Sequence, residues 1–598
     1  MPAHEHNSFG DVVRRLRRHA GHRADLRRSG PWAEGLATEP GTGPGSEGWT
    51  TVDATIRPLG SDRYRRLGWA PGEPHLLRDD LGVAPAADRA EVRRSLLYVA
   101  QHTDVHVCDA QSPARVEGGE AFGWVNPGSD SGHRPQETCT TQVLDQLVRA
   151  TNAVATSPVS GAPMAWCIQT GDNTDNRTTS EVRWWLDVLG GRPVTPNTGA
   201  AGRYEGLQRS GWRMVWHPDR PGWDRRQQQG YPHLPGFLDA SVARFVPEGL
   251  RVPWLAVFGN HDQIFTGTFG PPVGRNLRID LLEPMLAGSS RKPANAVGLV
   301  RAIAHATTVG ADTERWEQAS RGPGVHTVTA DPDARRSVTL DEYLAALLAD
   351  GADGEGPGPA GHGFGPEHLV EHRSWWSRSE GEHVQVLGLD TCNHTNGDGG
   401  GIGPRQAAWL EAELARHHAR HLDVHGRWVE GGGTDRLVVL ASHHNSWTMA
   451  NAVDDEFDPG PRTTGAEVVA LLERFPNVVL WVNGHSHQHK VVGHRRAAGG
   501  GWWEVNTSSA IDFGQQGRTI ELFDNGDGTA SFLVTVLDHA AEPLVPYRAE
   551  AGWTPGRLAS LSRELAANDD RWFDPVSLLG RPEDRNVELP VAVPFALR

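Results

Sequence analysis

The chain has 598 residues and carries 58 basic against 74 acidic side chains, a net charge of −16, which argues against a general nucleic-acid binder. Its length allows roughly three or four domain-sized masses, or one α/β core bearing large insertions. Four cysteines (Cys108, Cys139, Cys167, Cys392) without a Cys-x-x-Cys pair exclude a disulfide framework, and no apolar run approaches the ~18–20 residues that span a bilayer.

Residues 1 to about 92 are rich in Arg, Gly and Pro and read as an irregular arm with a basic helix-like segment near Val12 to Leu26. Arg14, Arg15, Arg17 and Arg18 evoke a twin-arginine export signal, but the polar run His19-Ala20-Gly21-His22-Arg23 follows them, so the cytoplasm is the expected compartment. A core is expected over 93–545, starting with a strand over 95–100 that runs into Asp104 and His106. Two apart on extended chain, these side chains point to the same side and can reach one metal ion. Cys108, two residues on, reads as a small apolar residue.

A helix over 141–155 and a strand over 165–169 lead to Gly171-Asp172-Asn173-Thr174-Asp175-Asn176, then to a helix over 180–189. An insertion at about 190–247 carries Tyr204, Trp212, Trp216, Trp223 and Tyr231, which suit either a substrate-covering cap or a loop packed by its own side chains. The strand over 252–258 ends in Gly259-Asn260-His261-Asp262: an amide oxygen, an imidazole titrating near neutrality, and a carboxylate able to orient it. Gly259 is expected to let the backbone turn sharply.

A second insertion covers about 263–380, with a Gly/Pro-rich loop over 351–365. Further strands over 384–390, 437–441 and 478–482 follow; the last two end in Ser442-His443-His444-Asn445 and Asn483-Gly484-His485-Ser486-His487. Between them lie a glycine-rich loop over 397–403 and a helix over 404–419. His417, His421 and His425, at i, i+4 spacing, are read as a solvated helix end and not as ligands. A closing meander (502–505, 519–523, 530–536) turns at Asp524–Gly528, and a C-terminal extension over 546–598 contains one helix from Pro555 to Asn568.

Every cluster follows a strand, and in open α/β sheets ligands gather outside the carboxyl ends of strands. Pooled, Asp104, His106, Asp172, Asn260, His443, His485 and His487 are seven N and O donors without a thiolate, the set that two adjacent divalent ions need. Such a pair clamps the attacking and leaving oxygens of a phosphoryl displacement. Asp172 is the candidate bridge, His261 the candidate acid, and Asp262 its orienting partner.

The ordered series Asp-x-His, Gly-Asp-x-x-Asp, Gly-Asn-His-Asp, His, Gly-His-x-His resembles the calcineurin-like metallophosphoesterase superfamily, in the form of its large actinobacterial-type members. The resemblance implies a four-layer α/β/β/α sandwich of two mixed β-sheets, with a dinuclear metal site at strand C-terminal ends and long insertions. It assigns Asp104, His106, Asp172 and His487 to one ion and Asp172, Asn260, His443 and His485 to the other. The ions would be Mn, Fe, Zn or Co. A hydroxide held between them would attack the phosphate ester of a small molecule or lipid, whether monoester or diester. A nuclease-type phosphodiesterase and a non-catalytic scaffold that keeps the fold are the alternatives. Family members often carry His-x-Pro at the fourth motif; Asn445 stands in the proline's place, leaving His443 and His444 both open, and alignment of the pattern selects His443. His489 is expected outside the ligand set.

Overall fold

The computed structural model describes residues 49–597 apart from 61–62, 123–131, 270–278, 310–311, 353–355, 396, 498, 545–551 and 570–573. The basic segment near Val12 to Leu26 and the paired arginines lie outside the described residues. In chain order, the strands of the two large sheets are β1 (Leu76–Leu77), β2 (Arg94–His102), β3 (Trp166–Thr170), β4 (Trp254–Val257), β5 (Trp376–Glu380), β6 (Val384–Gly388), β7 (Leu437–Ala441), β8 (Val478–Asn483), β9 (Lys490–Arg495), β10 (Gly501–Asn506), β11 (Gln516–Asp524), β12 (Thr529–Asp538) and β13 (Val587–Ala592).

One sheet has seven strands in the order β1-β13-β12-β11-β2-β3-β4, and the other six in the order β9-β10-β8-β7-β6-β5. Both are mixed. In the first, β2, β3 and β4 run parallel while β11, β12 and β13 alternate in direction. In the second, β6, β7, β8 and β10 are parallel and the two edge strands antiparallel. The near-continuous apolar runs of β6, β7 and β8 follow from burial on both faces. Val386, Val439, Ala441, Leu480 and Val482 share a cluster with Ile168 and Ala256 of the first sheet. Leu387, Leu440 and Trp481 point the other way and meet Leu410, Leu414, Val468 and Leu472.

Those last four side chains belong to two of the helices flanking the sheets, which include α1 (Thr140–Ala153), α2 (Thr179–Leu189), α3 (Pro404–Arg416), α4 (Gly465–Glu473) and α5 (Pro555–Ala566). Capping boxes start α2 (Thr178 with Glu181) and α4 (Thr464 with Glu467), each satisfying otherwise orphaned N–H groups. Because α3 stops at Arg416, His417, His421 and His425 share no helical face; His421 lies in a short ribbon strand, Arg420–Leu422. Among the described residues no helix is long and apolar enough to cross a membrane.

Several elements were not legible in the sequence. The arm contains an antiparallel hairpin, Ala54–Leu59 with Arg66–Pro71. The second insertion holds helices such as Ala296–Val309 and Leu340–Ala349. Strand β13 contains Pro590, which ordinarily argues against a strand inside a sheet, but β1 pairs only with Val587 and Glu588, so among the described residues Pro590 faces a free edge. In the first insertion, Tyr204, Trp216 and Tyr231 are buried with Phe237, Leu561 and Leu565, so these aromatics pack a local core. Leu440 is wholly buried in a central strand, and Leu440→Ala is expected to cost about 2–5 kcal/mol, read as a lower urea midpoint at unchanged m-value.

Candidate metal centre

The loops after β2, β3, β4, β7 and β8 carry Asp104 with His106, Asp172, Asn260, His443, and His485 with His487. Parallel neighbours place these strand ends on one rim. The β2–β3 pairing continues past the strands: Asp104 N donates to Gly171 O at 3.0 Å, His106 N to Asp172 O at 2.9 Å and Val107 N to Asn173 O at 3.0 Å. Across the two sheets, His485 N donates to Asp104 Oδ2 at 3.0 Å.

Backbone strain is concentrated here. Asp104 (φ 50), His106 (φ 43), Asp172 (φ 49), His485 (φ 69) and His487 (φ 53) all adopt the left-handed region, which non-glycine residues seldom occupy. Such conformations persist where surrounding structure over-determines them, and they cluster at functional sites.

Three imidazoles are tied on their outer side and aimed inward by their other nitrogen. His106 Nδ1 faces Asp175 Oδ1 at 3.1 Å, His487 Nδ1 faces Asp512 Oδ2 at 2.7 Å, and His443 Nδ1 donates to Thr170 O at 3.0 Å. Their Nε2 atoms meet the buried carboxylates: His106 lies 3.4 Å and His443 3.3 Å from Asp172 Oδ2, and His487 lies 3.2 Å from Asp104 Oδ1. His106 Nε2 is buried without a hydrogen-bond partner. Asn260 Nδ2 donates to Gly267 O at 2.9 Å, which turns its Oδ1 to within 3.0 Å of His443 Nε2, and His485 Nδ1 approaches the same nitrogen at 3.2 Å. Donor atoms of Asp104, His106 and His487 lie within 4.8 Å of one another, as do those of Asp104, Asp172 and His443. All seven candidate ligands therefore face one small volume.

Electrostatics follow from burial. Desolvation alone would raise the Asp104 carboxyl, but His487 holds it down at about 2, and His443 likewise keeps Asp172 well below the usual range. Burial would depress His443 and His487, yet Asp172 and Asp104 respectively raise them to about 9. His106 falls to about 4 and His485 to about 3, chiefly through desolvation.

His443 and His444 differ in their partners, although donor atoms of both, with one of His485, lie within 4.8 Å of one another. Thr391 Oγ1 accepts from His444 N at 3.0 Å and lies 2.9 Å from His444 Nδ1, while His444 Nε2 lies 3.0 Å from Asp398 O, so both ring nitrogens have protein partners. Asn445 donates to Gly484 O and Asn506 Oδ1, pinning the β7 loop to its neighbours, a task proline could not perform. His489 is turned away, towards Gln516, Ser508 and Arg518. Cys108 is buried beside Arg115.

Two expectations need correction. Asp262 does not orient His261. Its carboxylate accepts from Gly259 N, Asn173 N, Thr174 N and Thr174 Oγ1, capping the short helix Asn260–Gln263 and fastening the neighbouring loop. Successive helical side chains project about 100° apart, so the residue after His261 cannot share its direction. His261 Nδ1 is held instead by the Asp175 carbonyl at 2.6 Å, and its side chain remains 12% exposed. Gly259 is extended (φ −105), not sharply turned; a Cβ there would fall on Asp172 Oδ1 and Asp172 N. Gly267 (φ 67) does similar service, since a Cβ on it would strike His261 Nε2. Sequence reading also missed Asp512, which follows a strand end but lies in no recognised motif, and gave no role to Asp175.

No family model matches the chain, and no curated protein matches it. Among solved structures it is similar to a dimetal phosphatase from Danio rerio (11% identity, TM-score 0.28, covering 75% of this chain and 100% of that one). It is also similar to a purple acid phosphatase from yellow lupin (Lupinus luteus) seeds (10% identity, TM-score 0.26, 79% of this chain and 56% of that one). Superposition this loose carries no argument, and the functional reading rests on the site. Gly259→Ala is expected to displace Asp172 and so disorder the donor cluster while leaving the β4 core folded, which a crystal structure with a near-wild-type circular dichroism spectrum would show.

Proposed function

We propose that this chain is a metal-dependent phosphoesterase acting on a monoester or diester of a small molecule or lipid. The observation that carries the reading is the set of outward-tied imidazoles whose inner nitrogens converge with Asp104, Asp172 and Asn260 Oδ1. Metal-ligating histidines have this form, because the outer hydrogen bond fixes the ring and tautomer. His106 Nε2 is buried without a hydrogen-bond partner yet lies 3.4 Å from Asp172 Oδ2, an arrangement that a cation shared by the two would satisfy. By this reading Asp104, His106, Asp172 and His487 hold one ion and Asp172, Asn260, His443 and His485 the other, with Mn, Fe, Zn or Co matching the N/O set. When bound, the two ions would supply Lewis-acid charge to the phosphoryl group and a nucleophile at neutral pH.

The chain's own residues do the rest. His261 donates Nδ1–H to the Asp175 carbonyl, which leaves Nε2, lying against Gly267, as the nitrogen that can take a second proton. From there a protonated Nε2 can pass its proton to the departing alkoxide. His261 N donates to Asp172 Oδ1 at 2.8 Å, holding the carboxylate that would serve both ions against the loop that carries the acid. The four-layer α/β/β/α arrangement belongs to the same proposal, supported by the two-faced burial of β6, β7 and β8.

Hydrolysis of p-nitrophenyl phosphate or bis-p-nitrophenyl phosphate by the Mn²⁺-loaded protein, abolished by a chelator, tests the reading; turnover of neither ester would overturn it. His261→Ala is expected to keep two ions per chain and lose roughly 10²–10⁴-fold in turnover, whereas Asp172→Ala loses both ions in metal analysis. Because His443 and His487 hold protons up to about 9 in the ion-free site, a cation must displace them. Ion binding should therefore release protons and strengthen as pH rises from about 6 towards 9, as calorimetry in buffers of different ionisation enthalpy would show.

A further inference from the structure

We propose that Asp175, Arg134 and Asp512 form a buried brace that positions His106 and His487, and through them only one of the two ions. The inference rests on the metal-centre reading above. Asp175 takes His106 Nδ1 on Oδ1 at 3.1 Å, and Asp512 takes His487 Nδ1 on Oδ2 at 2.7 Å. These two carboxylates come from different elements, the loop after β3 and the loop after β10. Arg134, from the segment just before α1, spans them: its Nε donates to Asp512 Oδ1 at 3.1 Å and its NH1 lies 3.9 Å from Asp175 Oδ1.

A second tier holds the brace. Arg115 Nε pairs with Asp175 Oδ2 at 2.9 Å, and Arg115 NH2 with Glu137 Oε2 at 3.0 Å. Glu137 Oε2 also accepts from Arg134 N at 2.8 Å, fixing the stretch of backbone from which the guanidinium reaches. Arg115, Arg134, Glu137, Asp175 and Asp512 are all buried. Charges removed from water are tolerated when paired and hydrogen-bonded, and removing one partner leaves the rest uncompensated.

Among the described residues, the other half of the site has no such carboxylate backing. His443 is tied to a strand-end carbonyl, Thr170 O, and Asn260 to Gly267 O, both main-chain groups. Carboxylate-backed imidazoles are better donors and more firmly aimed than carbonyl-backed ones, and loss of such a partner typically weakens metal binding about 10–100-fold. Selectivity for one ion is therefore built into which strand ends the brace touches. The residues are positioning residues; none touches the reacting atoms.

Titrating ion-free protein with Co²⁺, followed by calorimetry and by the visible absorption of the bound ion, tests this. Wild type should take two ions. Asp512→Asn, which keeps volume and an acceptor oxygen but removes the charge, should weaken one ion by about 10–100-fold, change that ion's absorption band, and leave the other unaltered. Asp175→Asn, on the opposite arm, should weaken the same ion, which keeps the test open if the first variant does not fold. Equal weakening of both ions, or of neither, overturns the brace alone. Wild-type protein that binds no Co²⁺ overturns the metal centre and the brace with it.

Discussion

Everything at this site depends on parallel strands of two different sheets ending on a common rim. Within each sheet, parallel pairing sets neighbouring carboxyl ends side by side: β2, β3 and β4 in one, β7 and β8 in the other. Between the sheets, the His485 N to Asp104 hydrogen bond locks the rims together. The chain leaves these strands in left-handed conformations that a free peptide would avoid, and buried pairing between loops, such as His106 N to Asp172 O, keeps it there. Glycines are required where loops touch: at 259 because Asp172 fills the space of a side chain, at 267 because His261 does.

The electrostatic consequence is a buried cluster of opposite charges. Asp104 and Asp172 remain ionised despite burial because His487 and His443 lie within reach, and those imidazoles are in turn raised to about 9. A set of groups that must balance one another so closely is poised for exchange of protons against cations. Arg115 and Arg134 neutralise Asp175 and Asp512, Glu137 pairs in turn with Arg115, and Asp262 satisfies the amides of the turn that presents Asn260 and His261.

Strands and ligands were the easiest features to read. β3, β4, β7 and β8 are short apolar runs that break abruptly into polar residues with metal-binding chemistry, so run and break were visible together. β13 was obscured by Pro590, and the arm hairpin by its Arg, Pro and Gly content, since neither shows clean alternation. Aromatic residues of the first insertion were legible as candidates for either cap or core; only packing against α5 showed Tyr204, Trp216 and Tyr231 to be core.

By itself the sequence determined which residue types end which strands, and that a joint N/O donor set exists, because ligand spacing and strand patterning are both local properties. Tertiary structure alone decided how those donors are held. His444 is tied by Thr391 and Asp398, dozens of residues away. What holds His261 is the carbonyl of Asp175, not its own neighbour, because a helical turn sends Asp262 elsewhere. Asp512 and Arg134 are separated by hundreds of residues and meet only because β10 ends beside the segment that enters α1. Orientation and charge compensation arise from contacts between distant segments, and no spacing along a chain encodes them.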